Sequence, residues 1–280
     1  MIALHANGFT VEVVPENGGG LASFRHLGAD LLRPAPANAD IFELASFPMV
    51  PFPGRIRHGR FRAEGKDVAL PPNRDGFAYP LHGHGWLESW LVLEKGGDFC
   101  RLGYRHAAGA WPWDYRAEQS YRLDARGMSL ELSVSNLSPA PMPVGLGQHP
   151  YFPGGARIRT DLSHVLVPEE DLVADRADAI PAEWDFGAEH RVGSVFLDHG
   201  FAGWTGAADL IWPDRALRVT ASETGRFLQI FAPKGQDYFC LEPMSCLANA
   251  VNWPVPESSG LKMLEPGATA QLDCRIDLVF

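Results

Sequence analysis

Met128-Ser129-Leu130-Glu131-Leu132-Ser133-Val134-Ser135 alternates without a break. Met128, Leu130, Leu132 and Val134 fall on one side of an extended chain, and Ser129, Glu131, Ser133 and Ser135 fall on the other. Such a period of two specifies a strand with one face in a core and the other in water. Residues 115–123 just before it have the same character. Between them, Asp124-Ala125-Arg126-Gly127 reads as a hairpin turn whose glycine supplies a positive φ. The end of the chain repeats the pattern: Leu272, Cys274, Ile276, Leu278 and Phe280 alternate with Asp273, Arg275, Asp277 and Val279.

Working outward, strands are expected at 9–13, 61–70 with a turn near Glu64-Gly65, 100–104, 217–221, 227–231 and 238–242. No apolar stripe with a 3.6-residue period runs to the length of an ordinary helix, about 12 residues. A short helical turn fits 247–252, and crossover helices fit nowhere. The fold class that follows is all-β, with antiparallel sheets packed face to face in a large β-sandwich. The loop-like stretches 32–40, 168–185 and 252–260 are too short to be linkers, so residues 1–280 are expected to form a single domain without internal repeats.

Composition narrows the function. The chain has 280 residues, 46% of them hydrophobic and 21% charged, which excludes disorder, and it is large enough to bury a core without disulfides or metals. Its formal charge is -10 and it has no basic run, so nucleic acid is not an expected partner. Cys100, Cys240, Cys246 and Cys274 are widely spaced and make no C-x-x-C pair; the last three sit among apolar neighbours and read as buried hydrophobes. Residues 1–14 lack a basic segment followed by an apolar run, and no long apolar span occurs elsewhere, so a cytoplasmic protein without membrane contact is expected. Neither G-x-G-x-x-G after a strand nor a P-loop is present, and Gly18-Gly19-Gly20 reads as a flexible turn. No cofactor is expected.

Four segments are unusual for a purely structural chain. Phe52-Pro53-Gly54-Arg55-Ile56-Arg57-His58-Gly59-Arg60-Phe61 clusters arginines beside a Pro-Gly turn, and Leu81-His82-Gly83-His84-Gly85-Trp86 sets two histidines between glycines. Gly147-Gln148-His149-Pro150-Tyr151-Phe152 puts a histidine at a strand boundary, and Tyr238-Phe239-Cys240-Leu241-Glu242-Pro243 ends an apolar strand on a carboxylate. If Leu241 points into the core, Cys240 and Glu242 point to the opposite face. Together these residues are a sufficient set to hold a polyhydroxylated ligand and move protons on it.

Two other readings compete. His82, His84 and Glu88, with Gly76 upstream, have the H-x-H-x3-E spacing of a metal site on a cupin-like barrel, as in a metal-dependent sugar isomerase or oxygenase. The matching second motif fails, because His149 lies one residue out of register with Pro143 and Gly145, and in a strand one residue turns a side chain to the other face. No metal is therefore expected. A noncatalytic sugar-binding β-sandwich is the third reading.

In their order, Gly54-Arg55-Ile56-Arg57-His58-Gly59-Arg60-Phe61, Leu81-His82-Gly83, Gln148-His149-Pro150-Tyr151-Phe152, Leu197-Asp198-His199 and Leu241-Glu242-Pro243 resemble the motifs of the aldose 1-epimerase (galactose mutarotase) family, across nearly the whole chain. The resemblance implies a galactose mutarotase-like sandwich with its site in a cleft across one sheet. It implies Glu242 as catalytic base, His149 as catalytic acid, His82 as a second histidine near the ring oxygen, Arg55 as a substrate-positioning arginine and Asp198 as a hydroxyl-binding carboxylate, with Asp209 and Asp214 close by in sequence. Gly54 and Gln148 stand where the family has Asn and Thr, beside the site by position. Interconverting anomers needs the C1 hydroxyl proton removed while the ring oxygen is protonated, so one carboxylate and one imidazole suffice without a metal or nucleotide. A solvent-accessible glutamate would be ionised and a histidine would titrate near neutrality. His84 is a further candidate for substrate contact, because in extended backbone it shares a face with His82. Trp86 and Trp204 are candidates to stack on the apolar face of a sugar. The expected partner is a monosaccharide, and the chain is read as a monomer or weak homodimer.

Overall fold

The alternation at 128–135 becomes the strand Gly127–Asn136, deep inside a nine-stranded sheet, in a computed structural model that describes residues 1–187, 190–193 and 196–279. It pairs with Tyr115–Leu123 on one side, in register from Tyr115 opposite Asn136 to Leu123 opposite Met128, and with Thr269–Leu278 on the other. Phe280, the last residue of the expected alternation, lies outside the described residues. The hairpin turn forms, with Asp124 Oδ1 accepting from the backbone N–H groups of Arg126 and Gly127 at 2.8 and 3.2 Å. Gly127 serves it differently from the expectation. Its φ of 158° is nearly extended, and glycine is required because a Cβ there would strike the carbonyl of Ile276.

The second sheet runs Ala174–Ala179, His164–Pro168, Leu197–Ala202, Phe227–Ala232, Tyr238–Met244, Gly147–Gln148, Pro48–Met49, and Tyr151–Pro153 also pairs with Tyr238–Met244. Neighbouring strands in both sheets are antiparallel among the described residues. The sheets bury Phe239, Leu241, Leu228 and Ile230 of one against Tyr121, Leu132, Leu272 and Ile276 of the other. A side-chain hydrogen bond crosses this core, with Gln148 Nε2 donating to Gln119 Oε1 at 2.9 Å. A four-stranded N-terminal sheet, from Ile2–Ala6 to Ala29–Asp30, adds Leu4, Val11 and Phe24 to the same core.

The stretch 61–70 is the hairpin Arg60–Ala63 and Lys66–Ala69, turning through left-handed Glu64 and Gly65, and 247–252 holds a single 3-10 turn at Ala250–Asn252. The expected loop 168–185 contains a strand, Ala174–Ala179. Its sequence, Ala-Asp-Arg-Ala-Asp-Ala, lies at a sheet edge and is mostly exposed, so no hydrophobic alternation marks it. No helix among the described residues is long and apolar enough to cross a membrane.

The outer face of the second sheet, turned away from the nine-stranded sheet, carries a smaller core around Phe47, Trp86, Tyr151 and Met244. The cleft opens beside it.

Candidate active site

A cavity of about 290 Å³ lies across this outer face. Its floor is built by period-two alternation on three adjacent strands. Where Leu241 and Ile230 turn into the inter-sheet core, Glu242, Gln229 and Phe231 turn outward, joined by Asp198 and Gly200 of Leu197–Ala202. Register places Gln229 opposite both Glu242 and Gly200, and Asp198 opposite Phe231. Gly200 keeps the floor flat, since a Cβ there would come within 2.7 Å of Leu166 Cδ1. Asp198 Oδ1 accepts from Gln229 Nε2 at 2.8 Å, which fixes both polar heads in the floor.

The wall opposite comes from two turns that grip each other. The backbone N–H of His82 donates to the carbonyl of Gly54 at 2.8 Å, and the N–H of Gly54 donates to His82 Nδ1 at 3.1 Å. Because Nδ1 accepts, a neutral His82 carries its proton on Nε2. Gly54 has a left-handed φ of 65° and its Cβ would collide with that of Ala248, so only glycine fits this approach. Arg55 follows it into the cavity, with its guanidinium carbon 6.0 Å from the centre of the Phe77 ring. Asn73 braces the histidine turn: its Nδ2 donates to the carbonyls of Leu81 and Gly83 at 2.8 and 2.7 Å, and its Oδ1 accepts from the N–H of Leu81 at 2.9 Å. At the mouth, Arg57 Nε and Nη2 clamp Asp171 at 2.7 and 3.1 Å, holding the segment that brings Leu172 over the cavity.

His149 and Glu242 meet at the inner end. His149 Nε2 is 3.3 Å from Glu242 Oε1, and the two side chains are only 8% and 3% exposed. The imidazole packs against both Phe47 and Tyr151, at 4.5 and 4.8 Å between ring centres, with His82 edge-on at 5.3 Å. Burial dominates the electrostatics. It raises the Glu242 carboxyl well above the usual carboxylate range, with Asp198 adding to the rise and Arg55 opposing it. It pushes His149 down to about 3, and it pushes His82 well below the ordinary histidine value, helped by His149 and Arg55. The expectation of a solvent-accessible, ionised glutamate beside a histidine titrating near neutrality is therefore corrected. Both shifts favour the uncharged forms, a carboxyl on Glu242 beside a neutral His149 imidazole.

The aldose 1-epimerase family model matches residues 1–277. The chain belongs to the aldose 1-epimerase family. It is 32% identical to the uncharacterized protein YphB of Escherichia coli (strain K12) over 278 residues, 94% of each chain, and 24% identical to the uncharacterized protein YihR of the same organism over 298 residues. Among solved structures, a putative aldose 1-epimerase from Escherichia coli K12 superposes with a TM-score of 0.93 at 30% identity, covering 99% of this chain and 98% of that one. A galactose mutarotase-like protein from Clostridium acetobutylicum shares the fold at a TM-score of 0.88 and 18% identity, covering 98% and 93%. As an aldose 1-epimerase, the chain is an isomerase that interconverts the anomers of an aldose.

Of the residues singled out in the sequence, this epimerase brings Arg55, His82, His149, Asp198 and Glu242 to one cavity. Asp209 is tied instead to Arg159 and Arg218 at 2.7 Å each, and Asp214 faces solvent. His84 and Trp86 do not line the cavity. His82 and Gly83 both have left-handed φ, 53° and 70°, which breaks the extended geometry that would have set His84 beside His82. His84 instead stacks on His106 at 4.4 Å and contacts Tyr115 Oη at 3.4 Å. Trp86 is fully buried, its indole N–H donating to the carbonyls of Leu81 and Gly83, so it supports the histidine turn from below. Trp204 is likewise buried, donating to Thr160 Oγ1.

The H-x-H-x3-E reading dissolves for the same reason. Glu88 is exposed, and His82, His84 and Glu88 form no ligand cluster among the described residues. The one cluster of metal-binding side-chain types among those residues is His149, Cys240 and Glu242. Gln148, expected beside the site, faces the inter-sheet core. Gln229 and Arg33 went unread in the sequence. Gln229 had a signal, as the single polar residue of Phe227–Ala232, on the strand next to Glu242. Arg33 had none: it reaches the site from an irregular segment by stacking on Tyr151 and Tyr238, at 4.0 and 4.4 Å from the ring centres.

Proposed function

We propose that Glu242 and His149 are the proton-transfer pair of the epimerase and that a monosaccharide lies over Gln229, Asp198 and Gly200 with its anomeric carbon toward them. The observation that carries this is the buried 3.3 Å contact between His149 Nε2 and Glu242 Oε1 at the closed end of the cavity. With the carboxyl proton passed to His149, Glu242 is a carboxylate. It takes the proton of the C1 hydroxyl while His149 gives its proton to the ring oxygen, the C1–O5 bond breaks and C1 becomes a carbonyl. Rotation about C1–C2 and reversal of both transfers close the ring to the other anomer.

Moving this proton to His149 separates charge in a dry site. Arg55 in the cavity wall favours the ionised Glu242, and sugar hydroxyls supply hydrogen bonds to the charged pair. His82, holding its proton on Nε2, is a donor to the ring oxygen or its neighbour. Asp198, kept in place by Gln229, accepts from a ring hydroxyl. The family match over 1–277 supports a single catalytic domain, and a cytoplasmic monomer or weak homodimer completes the reading.

Polarimetry of freshly dissolved α-anomers across a panel of aldoses tests the proposal. Acceleration by the parent and its loss in Glu242→Gln are expected. Acceleration undiminished in Glu242→Gln would place the base elsewhere.

A further inference from the structure

His149 belongs to a cluster of contacting planar groups that none of the site motifs announces. The guanidinium of Arg33 lies 4.0 Å from the centre of the Tyr151 ring; Tyr151 stacks on His149 at 4.8 Å with 24° between planes; His149 stacks on Phe47 at 4.5 Å; and Phe47 stacks on Trp86 at 5.6 Å. Arg33 is fixed at the Tyr151 edge of this cluster. Its Nη2 donates to the carbonyls of Phe42 and Leu44 at 2.7 and 3.2 Å, its backbone N–H donates to the carbonyl of Tyr151 at 2.8 Å, and its guanidinium carbon also lies 4.4 Å from the centre of the Tyr238 ring. Among the described residues it makes no carboxylate ion pair within 4.0 Å, so its positive charge stays uncompensated one ring away from the imidazole.

We infer that Arg33 is a positioning residue for the proton transfer, acting on the His149 imidazole through the face of Tyr151. An aromatic face attracts a cation through its negative quadrupole. With the Arg33 guanidinium 4.0 Å from the centre of the Tyr151 ring and His149 against the same ring, an imidazolium gains little from Tyr151 and is repelled by the guanidinium. The proton that His149 takes from Glu242 is held loosely as a result, ready for the ring oxygen of the sugar.

The groups that face His149 make this sign unambiguous. Glu242 and Cys240 come from the strand Tyr238–Met244, His82 from the turn at the cavity wall, Tyr151 from Tyr151–Pro153, Arg55 from the turn after Gly54, Asp198 from Leu197–Ala202, and Arg33 from the segment after Ala29–Asp30. Burial is the first cause of the lowered affinity of His149 for protons, and Arg33 works in the same direction. Removing the Arg33 charge must therefore let the pair bind protons more tightly, in both of its macroscopic steps.

The inference rests on the pair assigned above, and its test separates the two. Arg33→Gln keeps a planar donor for the carbonyls of Phe42 and Leu44 but removes the charge, whereas Arg33→Lys keeps the charge and loses the flat fork. In R33Q both limbs of the pH profile of kcat/KM are expected to move to higher pH by about half a unit to one unit, the scale for a unit charge one ring away in a partly wetted site. R33K should leave them in place. A merely structural arginine would lower kcat in both variants without moving the limbs. The His149 ring resonances, titrated by NMR in the same proteins, need no substrate and should move in the same direction in R33Q. If R33Q does not fold, Arg33→Met, which keeps an unbranched stem and removes the charge, takes its place: limbs and His149 resonances moved to higher pH support the inference, and unmoved ones overturn it. Unmoved limbs and an unmoved His149 titration in folded R33Q overturn it, whatever sugar the enzyme takes.

Discussion

Glu242 and His149 are the most deeply buried ionisable pair at the cavity, and burial decides their behaviour more than their intrinsic chemistry does. Glu242→Gln keeps shape and one acceptor while removing the proposed base, and His149→Asn removes the proposed proton donor. Each is expected to lower kcat by roughly 10²–10⁴-fold, measured by anomer exchange, with circular dichroism unchanged. The histidines also set an acid limit on stability. His149 titrates at about 3 and His84 at about 4 in the folded chain, both below the ordinary histidine value of 6.5. Between those values and 6.5 the unfolded chain binds protons at these two histidines that the folded chain does not, so their contribution to stability is fully present above 6.5 and falls as the pH drops through this window. His84→Gln should make the fall shallower in urea titrations at pH 4–6 and leave anomer exchange near the parent rate, since His84 lies outside the cavity.

At the scale of elements, the strands were legible where one face is dry and the other wet. Residues 115–123 and 128–135 are strands because their alternation matches burial residue by residue, and Glu242 was readable as the outward partner of Leu241. Ala174–Ala179 was not legible, since an exposed edge strand has no apolar face to reveal it. The turn at Leu81-His82-Gly83 was legible as a motif but not as a shape. Its two left-handed residues, set by tertiary contacts with Gly54, Asn73 and Val50, send His84 away from His82 and put Trp86 underneath. Asn73 supplies three hydrogen bonds to that turn. Asn73→Ala should cost about 1–3 kcal/mol in the urea midpoint and, by loosening His82, lower kcat/KM by roughly ten- to a hundredfold.

For the whole molecule, two sheets share one apolar core and place the chemistry on the outer face of only one of them. Gln148 sits at the junction: its neighbour His149 serves the cavity, while its own amide crosses the core to Gln119. Gln148→Leu alone strands the Gln119 acceptor in an apolar core and should destabilise the fold by about 1–3 kcal/mol. Adding Gln119→Leu should restore much of that loss, because replacing both partners of a buried hydrogen bond costs less than replacing one. That the sandwich is all-β and that five dispersed motifs converge on one cleft could be read from the order of residues. Which strand face each motif occupies was set by pleat and register, and so was readable only within strands. Arg33 joined the site through a segment with no periodicity at all.

In the proposed reaction this cleft exchanges anomers by moving a proton from the sugar's C1 hydroxyl to Glu242 and another from His149 to its ring oxygen, without a metal. Exchange NMR on the aldose anomers, run with exhaustively chelated parent protein and with chelated Glu242→Gln, tests it most directly. The account predicts exchange for at least one aldose well above the buffer rate in the metal-free parent, falling by roughly two orders of magnitude or more in the variant. Exchange that appears only when a divalent metal is restored, or that persists undiminished in Glu242→Gln, would contradict it.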